Sequence, residues 1–265
     1  MYDVIRSKDN PKVKWLTNLH DRRKASKEGL VFVEGVRVCE DALISGSILS
    51  MVCVTEKQTA FLDKWSVVIT ANKAQTLVVT DECFAKIAST VNPQGVVIVV
   101  KEPTLTMDNI PFRGDGNDIY VVLESVQDPG NIGTIIRMAD AFDFSAVIMT
   151  TGCVDPFNEK AIRASMGSCW HLPLVKVGDS EQAMEFFKAK GITSMAMELN
   201  GEVLSSDSVS TPAAYFIGNE GNGLKAETIA KCDLKVKIPM PGKAESLNAA
   251  SAASIMGYTL HCARK

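Results

Sequence analysis

The sequence predicts an α/β protein made of two units joined by a linker. Short apolar runs of strand length alternate with segments whose apolar residues recur at helical spacing. This alternation is typical of α/β units, in which helices pack against the sheet. A chain of 265 residues that is 46% hydrophobic and 22% charged is long and apolar enough for two ordinary cores.

The first unit is expected over residues 1–101. Its first helix begins at Asn10-Pro11, because asparagine is a good helix cap and proline suits the first helical position. Leu16 and Leu19 continue this helix as part of an apolar stripe. The other elements predicted in this unit are strands at Leu30–Val33, Met51–Val54, Val67–Ile69 and Val96–Val100 and helices at Val36–Ile44 and Glu82–Ala88.

Residues 102–117 are expected to form the linker, because Pro103, Pro111 and Gly114 interrupt both periodicities. The second unit, over residues 118–265, repeats the alternation and predicts a mostly parallel sheet. Its predicted strands are Ile119–Leu123, Ala146–Met149, Leu174–Val177, Thr193–Met197, Ala214–Ile217 and Leu234–Ile238, and its predicted helices are Ile132–Phe142, Glu159–Met166, Gln182–Ala189, Ala226–Lys231 and Leu247–Cys262.

Basic residues gather near the N-terminus of a chain whose formal net charge is −3. A basic arm on an otherwise acidic protein suits docking to phosphates, although a solvated helix face has the same pattern. The basic residues are Arg6, Lys8, Lys12, Lys14, Arg22, Arg23, Lys24 and Lys27, against the acidic Asp3, Asp9, Asp21 and Glu28.

The cysteine and histidine patterns favour an intracellular protein without a metal site. The 7 cysteines are scattered, with no Cys-x-x-Cys pair, which favours buried free thiols in a reducing cytoplasm. The 3 histidines lack the spacing of metal ligands. No apolar run reaches the length of a membrane span, and the first residues lack the layout of a signal peptide, so we expect a cytoplasmic protein with no membrane partner.

Three segments of the second unit combine turn residues with polar groups. The first turns from Asp128 to Asn131 after a buried strand and opens a helix that carries Arg137. Asn131 and Arg137 project toward the same end of the strand only if Asn131 caps the helix. Because an arginine in an apolar helix is costly to bury, Arg137 is expected to face a cleft and hold a phosphate. An ordinary cap followed by a surface arginine is the alternative.

The second segment is a glycine-rich loop from Gly218 to Leu224. It follows a predicted strand at the edge where open α/β sheets bind ligands, and glycines let the backbone approach a small molecule closely. Glu220 within this loop is expected to be functional. The loop has neither a phosphate-binding lysine nor the dinucleotide fingerprint Gly-x-Gly-x-x-Gly, which argues against a dehydrogenase.

The third segment leaves a strand at Pro239 and enters a helix whose first turns carry Ser246 and Asn248. Ser246 is the expected helix cap. Asn248 is placed just inside the helix, where asparagine is unfavourable, so it indicates a functional role. The small residues 249–253 permit close packing of this helix against a neighbour.

In this order the three segments resemble the motifs of the SpoU (also called TrmH) family of RNA ribose 2′-O-methyltransferases. The resemblance covers residues 118–265 and includes the segment Arg163 to Gly167. Residues 7–11 and 32–35 are similar to the substrate-binding domain that precedes the catalytic domain in many members. That domain resembles the ribosomal protein L30e fold.

The resemblance implies a SPOUT-type parallel sheet with a deep trefoil knot, preceded by a smaller L30e-like domain that binds RNA. It implies S-adenosyl-L-methionine as the methyl donor, held in a bent conformation by loops near 217–224 and 238–248. It also implies a homodimer with the site at the interface, in which the first motif reaches toward the partner's donor. Structured RNA is the implied substrate, with ribosomal RNA favoured over transfer RNA because of the additional N-terminal domain.

The resemblance also implies roles for individual residues. The implied catalytic residues are Asn131, Arg137, Glu220, Ser246 and Asn248. The implied donor-binding residues are Gly218, Asn219, Gly223, Ile238, Met240, Ser246 and Leu247. The implied RNA-binding residues are Lys8, Lys12, Lys14, Arg22, Arg23, Lys24, Arg37 and Arg163.

The family counterpart of Arg137 is sometimes proposed as a general base, but a guanidinium stays protonated in proteins. We therefore expect Arg137 to clamp a phosphate beside the ribose and to lower the pKa of the hydroxyl electrostatically. A catalytically silent RNA-binding or ribosome-assembly factor on the same fold is the alternative. The argument against it is that four residues occur together: Arg137, Glu220, Ser246 and Asn248.

Overall fold

Two sheets organise the chain, one in each of the units Met1–Pro103 and Thr104–Lys265 of the computed structural model. The structure describes residues 3–205 and 208–264. Within these ranges no helix is both long and apolar enough to cross a bilayer. Strands and helices alternate in both units, as the sequence pattern predicts.

The first unit has a five-stranded sheet in the order β1-β4-β3-β5-β2. β5 runs antiparallel to both of its neighbours, whereas β1, β4 and β3 pair in parallel. The sheet of this α/β unit is therefore mixed. The strands are β1 (Val4–Ile5), β2 (Leu30–Glu34), β3 (Leu49–Thr55), β4 (Gln75–Val79) and β5 (Val96–Lys101), and the helices are α1 (Pro11–Asn18), α2 (Arg22–Lys27), α3 (Val36–Ile44), α4 (Thr59–Lys64), α5 (Ser66–Ala71) and α6 (Asp81–Ile87).

The start of α1 is confirmed by its cap geometry. The side chain of Asn10 accepts a hydrogen bond from the Lys12 amide at 2.9 Å, and Pro11 occupies the first helical position. Leu16 and Leu19 are buried in the core of the unit, as the helical stripe predicts. The local sequence therefore determines both where this helix begins and which face it buries.

The strand predicted at Val67–Ile69 is wrong, because these residues belong to α5. β-Branched residues favour strands, but only Ile69 of this run is buried, and Val67 is 80% exposed. One buried position in a short amphipathic turn is typical of a surface helix. The strand lies instead at Gln75–Val79. Its first two residues are polar and exposed, so the sequence does not resemble a strand there, although the last three residues are buried.

The second unit has a six-stranded sheet in the order β11-β9-β10-β6-β7-β8, and all of its strand pairs are parallel. The neighbouring strands β6 and β10 are buried along their whole length, as expected for a sheet covered on both faces. The strands are β6 (Ile119–Leu123), β7 (Ala146–Thr150), β8 (Leu174–Val177), β9 (Thr193–Val203), β10 (Ala213–Ile217) and β11 (Leu234–Lys237), and the helices are α7 (Pro129–Ala141), α8 (Glu159–Ser165), α9 (Ser180–Lys190), α10 (Ala226–Lys231) and α11 (Ala249–Cys262). The trefoil knot stays a prediction.

The stretch expected to be a linker packs in part against the second unit. Leu105 forms an isolated parallel bridge with Val175, and Ile110 is buried in the core of this unit. The buried carboxylate of Asp118 accepts hydrogen bonds from the amides of Arg113 and Gly114. These contacts order the stretch despite its prolines and glycines.

Candidate functional site

A cavity of about 600 Å³ opens at the carboxyl-terminal ends of β10 and β11, beside the middle of β9. Open parallel sheets bind ligands at this edge, and the volume lies in the range of small-molecule sites. The cavity contains the glycine-rich loop and the third polar segment of the sequence. Its lining residues are Met197, Glu198, Leu199, Ile217, Gly218, Asn219, Glu220, Gly221, Asn222, Gly223, Val236, Lys237, Ile238, Met240, Glu245, Ser246, Leu247, Asn248, Ala249 and Ala252.

The loop from Gly218 to Gly223 closes tightly on itself. Asn219 and Gly223 exchange backbone hydrogen bonds of 3.1 and 2.8 Å. A Cβ on Gly218 would lie 2.0 Å from the carbonyl carbon of Gly223, a distance that no side chain tolerates. Glycine at position 218 is therefore required by the loop itself, and its backbone remains accessible on the cavity side.

The side chain of Asn219 joins this loop to the end of β6. Its Nδ2 donates to the carbonyl oxygen of Ser125 at 2.9 Å. Its Oδ1 accepts hydrogen bonds from the amides of Gly221 and Asn222 at 3.0 and 3.2 Å. One amide side chain thus fixes both the shape of the loop and its attachment to the neighbouring strand.

The carboxylate of Glu220 connects the glycine-rich loop to the first motif. It accepts hydrogen bonds from the amides of Gln127 and Asp128 at 3.2 and 3.1 Å and from Asn131 Nδ2 at 2.9 Å. Partial burial raises the pKa of Glu220, but the hydrogen bonds from Asn131 and the backbone outweigh it, and the net pKa lies below its ordinary value. Glu220 is therefore an anion whose negative charge is stabilised by these hydrogen-bond donors.

Asn131 and Asn248 extend this network to the third motif. Asn248 Nδ2 donates to Asn131 Oδ1 at 2.9 Å. Asn248 Oδ1 accepts from the amides of Ala250 and Ser251, so Asn248 is the N-cap of α11. The expectations that Ser246 caps this helix and that Asn248 lies inside it are therefore wrong. Asn248 combines a capping role with a link to the first motif.

Asn131 does not cap α7, so the condition under which Asn131 and Arg137 would project toward the same end of the strand is not met. The cap is Asp128, whose Oδ1 accepts from the Asn131 amide at 2.8 Å. Asn131 lies in the first turn of the helix, 8% exposed, with its side chain between Glu220 and Asn248. An aspartate followed by proline is an equally good cap signal, and burial of Asn131 reflects its role in the network.

Arg137 does not line the cavity of its own chain. It lies on α7 with an exposed side chain, and within the described part of the chain it has no hydrogen bond or ion pair. The prediction that Arg137 faces a cleft is therefore wrong for the described residues of a single chain. The guanidinium remains free to contact a group from outside the chain.

All seven residues predicted to bind the methyl donor line the cavity, and so do the predicted catalytic residues Glu220 and Asn248. Sequence reasoning missed the contribution of β9, which supplies Met197, Glu198 and Leu199. The predicted strand ended at Met197, whereas β9 continues to Val203 through polar residues that interrupt the apolar pattern. The donor-binding roles themselves stay predictions.

Most of the predicted RNA-binding residues are exposed, but Arg22 is not. Its side chain is 14% exposed, and its guanidinium forms an ion pair with Glu102 and donates to the carbonyl oxygen of Leu30. Arg22 therefore stabilises the first unit and is not presented to a phosphate. The exposed members of the predicted set are Lys8, Lys12, Lys14, Arg23, Lys24 and Arg37 in the first unit and Arg163 in the second.

The fold and this constellation define a class of proteins. The model of the SpoU rRNA methylase family matches residues 118–258, and a model of an MRM3-like substrate-binding domain matches residues 10–98. The chain belongs to the SpoU rRNA methylase family. Its first unit is similar to the MRM3-like substrate-binding domain.

Relatives match along almost the whole chain. The 23S rRNA (guanosine(2553)-2′-O)-methyltransferase RlmP of Bacillus subtilis is 32% identical, over 97% of this chain and 98% of its own length. The 23S rRNA (uridine(2479)-2′-O)-methyltransferase of Streptomyces viridochromogenes is also 32% identical, over 92% and 86%. The AdoMet-bound rRNA methyltransferase of Sinorhizobium meliloti superposes with a TM-score of 0.88 at 28% identity, covering 97% of each chain.

Glu220→Gln tests the electrostatics of the network. Because the folded-state pKa is lowered, the carboxylate stabilises the fold above its ordinary pKa near 4.5, and this contribution is lost as the pH falls through the lower value. We expect the variant to be less stable at pH 7 by about 1 kcal/mol or less, because Glu220 is exposed and screened. Urea unfolding of both proteins from pH 7 to pH 3 measures this difference, which should shrink with acid. A pH-independent difference would contradict the assignment, and Glu245→Gln, on the cavity rim outside the network, is the control.

Proposed function

We propose that this chain transfers a methyl group from S-adenosyl-L-methionine to a ribose 2′-hydroxyl of ribosomal RNA. The observation that carries the proposal is the hydrogen-bonded chain Glu220–Asn131–Asn248, which brings the three motifs together beside one cavity. Relatives that match almost the whole chain are named as 23S rRNA 2′-O-methyltransferases, which supports the same reaction.

The cavity fits the chemistry of the donor. Ile217, Met240 and Leu247 offer apolar surface for an adenine ring, and the backbone at Gly218 and Ile238 offers polar groups for its edge. The donor, when bound, supplies a methyl carbon that is electrophilic because it is attached to a sulfonium. The residues of this chain bind and orient it and exclude water from the reacting atoms.

Arg137 acts on the RNA rather than on the donor. Its guanidinium stays protonated and clamps a phosphate beside the target ribose, where it lowers the pKa of the 2′-hydroxyl. Ser246 and Asn248, on the cavity wall, orient the ribose toward the methyl carbon. The position of Arg137 outside its own cavity supports a site completed by a second copy of the chain.

We therefore extend the proposal to a homodimer in which Arg137 serves the cavity of the partner subunit. α11 carries the exposed apolar residues Ile255 and Tyr258 and packs in its own chain against α7, the helix that bears Arg137. Met166, after α8, is also exposed, at 44%. Exposed apolar residues near the functional helix are typical of an interface. Light scattering of the purified protein tests the expected twofold mass.

The first unit positions RNA through its phosphates. Lys12 and Lys24 are exposed there, and contacts of this type fix register without reading sequence. Free cysteines support a cytoplasmic location, where ribosomal RNA is available.

Lys12→Ala and Lys24→Ala are each expected to weaken RNA binding and to reduce the slope of log affinity against log salt by about 1. Lys73→Ala, at an exposed lysine outside the predicted set, is the matched control and should bind as the wild type does. Filter binding over a salt series measures this effect, and an unchanged slope in both lysine variants would exclude them from the interface.

Arg22→Ala should instead lower the Tm, because it breaks the ion pair with Glu102.

The substrate class is tested by methyl incorporation into purified RNAs. Ribosomal RNA from cells that lack this protein should accept label from the donor, whereas transfer RNA from the same cells should not. Incorporation into transfer RNA alone would contradict the proposed substrate. Tight RNA binding without donor binding would identify a silent RNA-binding factor instead.

A further inference from the structure

A buried carboxylate outside the cavity follows the central strand β6 directly. Glu124 is 3% exposed, and its side chain accepts hydrogen bonds from Ser180 Oγ at 2.5 Å, Thr228 Oγ1 at 2.5 Å and the Lys225 amide at 2.7 Å. It is absent from the cavity lining. Burying a carboxylate in this way is costly unless hydrogen bonds compensate, so the position calls for an explanation.

Glu124 holds both ends of the glycine-rich loop. Its backbone amide donates to the carbonyl oxygen of Ile217 at 2.8 Å, directly before Gly218. Its carboxylate accepts from the amide of Lys225, directly after Leu224. The loop that lines the cavity is therefore anchored at entry and exit by one residue.

The partners of this carboxylate show what it does. Within residues 3–205 and 208–264, its hydrogen-bond donors are two hydroxyls and a backbone amide, and none is a cation. An isolated buried acid of this kind adds little net stability over a well-packed apolar residue. What it adds is geometry, because Ser180 begins α9, Thr228 lies in α10, and both hydroxyls donate to Oε2 of Glu124.

We infer that Glu124 is a positioning residue for the methyl-donor site, which sets the spacing of Ile217 and Lys225 and thereby the shape of the loop between them. The inference rests on the proposed function, because it takes the cavity to be the donor site. Its effect is on donor affinity rather than on the chemical step, since Glu124 touches neither the cavity nor Arg137.

Glu124→Gln and Glu124→Leu separate geometry from charge. Glutamine can offer its carbonyl to the Lys225 amide and donate to the two hydroxyls, which can rotate to accept. Leucine leaves the Lys225 amide without its acceptor. We expect the Kd for S-adenosyl-L-methionine, measured by calorimetry, to rise about tenfold or more in Glu124→Leu and to stay within about threefold in Glu124→Gln. RNA affinity should be unchanged in both.

Asp118 provides a matched control at the opposite end of the same strand. It is also a fully buried carboxylate, and it accepts from Ser145 Oγ and Tyr120 Oη as well as from backbone amides. Asp118→Leu should lower the Tm without changing donor Kd in the folded protein.

If Glu124→Leu does not fold, Glu124→Asp, whose shorter side chain cannot reach all three donors, is expected to weaken donor binding in its place.

The outcomes distinguish the two claims. Donor Kd equal to the wild type in folded Glu124→Leu or Glu124→Asp, with a lowered Tm, would reduce Glu124 to a structural residue and overturn the inference. Unchanged donor Kd in Gly218→Ala would instead overturn the assignment of the cavity itself. Weakened binding in Gly218→Ala and Glu124→Leu, with wild-type binding in Asp118→Leu and near-wild-type binding in Glu124→Gln, supports both.

Discussion

Arg137→Ala is expected to lower methyl transfer by about a hundredfold or more, the typical cost of removing one preorganised charge from a transition state. The affinity for S-adenosyl-L-methionine should not change, because Arg137 is exposed and does not line the cavity. Single-turnover rates with labelled donor, together with donor Kd by calorimetry, measure the two quantities separately. Arg137→Lys should also be slow, because an ammonium cannot form the bidentate contact to a phosphate.

A mixture of variants tests whether Arg137 serves the partner's cavity. Arg137→Ala has an intact cavity, and Gly218→Ala, whose donor binding is weakened, has an intact Arg137 and is used at a donor concentration below its Kd. In a heterodimer of the two, one site then combines an intact cavity with an intact arginine, so activity should reappear on mixing. Absence of complementation in a demonstrated heterodimer, or near-normal turnover in Arg137→Lys, would contradict the proposed role.

Gly218→Ala is expected to weaken donor binding by about tenfold or more, because the loop must open to admit the added Cβ and its backbone hydrogen bonds to the donor are then weakened. The added Cβ would meet the backbone of Gly223 at 2.0 Å, where no flexible side chain can yield. Equilibrium dialysis with labelled donor measures the effect.

Gly242→Ala is the matched control for this prediction. Gly242 lies between the cavity residues Met240 and Glu245, and a Cβ placed on it meets nothing within 4 Å. Its donor affinity should therefore stay close to that of the wild type. Equal affinities in the two alanine variants would show that the glycine-rich loop is not part of the donor site.

Local patterns in the sequence predicted most elements of the fold. The strand Ile119–Leu123 and the helix Val36–Ile44 have the predicted bounds, because the apolar run of the strand is buried throughout and the helix buries Cys39, Ala42 and Leu43 at helical spacing. The strand predicted at Val67–Ile69 is wrong because these β-branched residues belong to a surface helix. The end of β9 was missed because its last residues are exposed and no longer alternate.

The site residues were predicted from their resemblance to family motifs and not from contacts between them. The bond between Asn131 and Glu220 joins residues 89 apart, and the bond between Asn131 and Asn248 joins residues 117 apart. Such separations leave no trace in local periodicity, so the links from Asn131 to Glu220 and Asn248 could not be predicted from neighbouring residues. The capping bonds of Asp128 and Asn248, in contrast, span only two or three residues, and local cap signals were available for both. The prediction that Arg22 binds RNA is wrong because its ion-pair partner, Glu102, lies far from it in the sequence, at the end of the first unit.

Methylation of ribose, as opposed to base, is the central claim, and one digestion tests it. Ribosomal RNA from cells lacking this protein is incubated with the enzyme and S-adenosyl-L-methionine labelled in its methyl group, and the product is then hydrolysed with alkali. A 2′-O-methyl group removes the hydroxyl that attacks the adjacent phosphodiester, so we expect the label in alkali-resistant dinucleotides. Label recovered in mononucleotides would mean that a base is methylated, and it would contradict the proposed reaction.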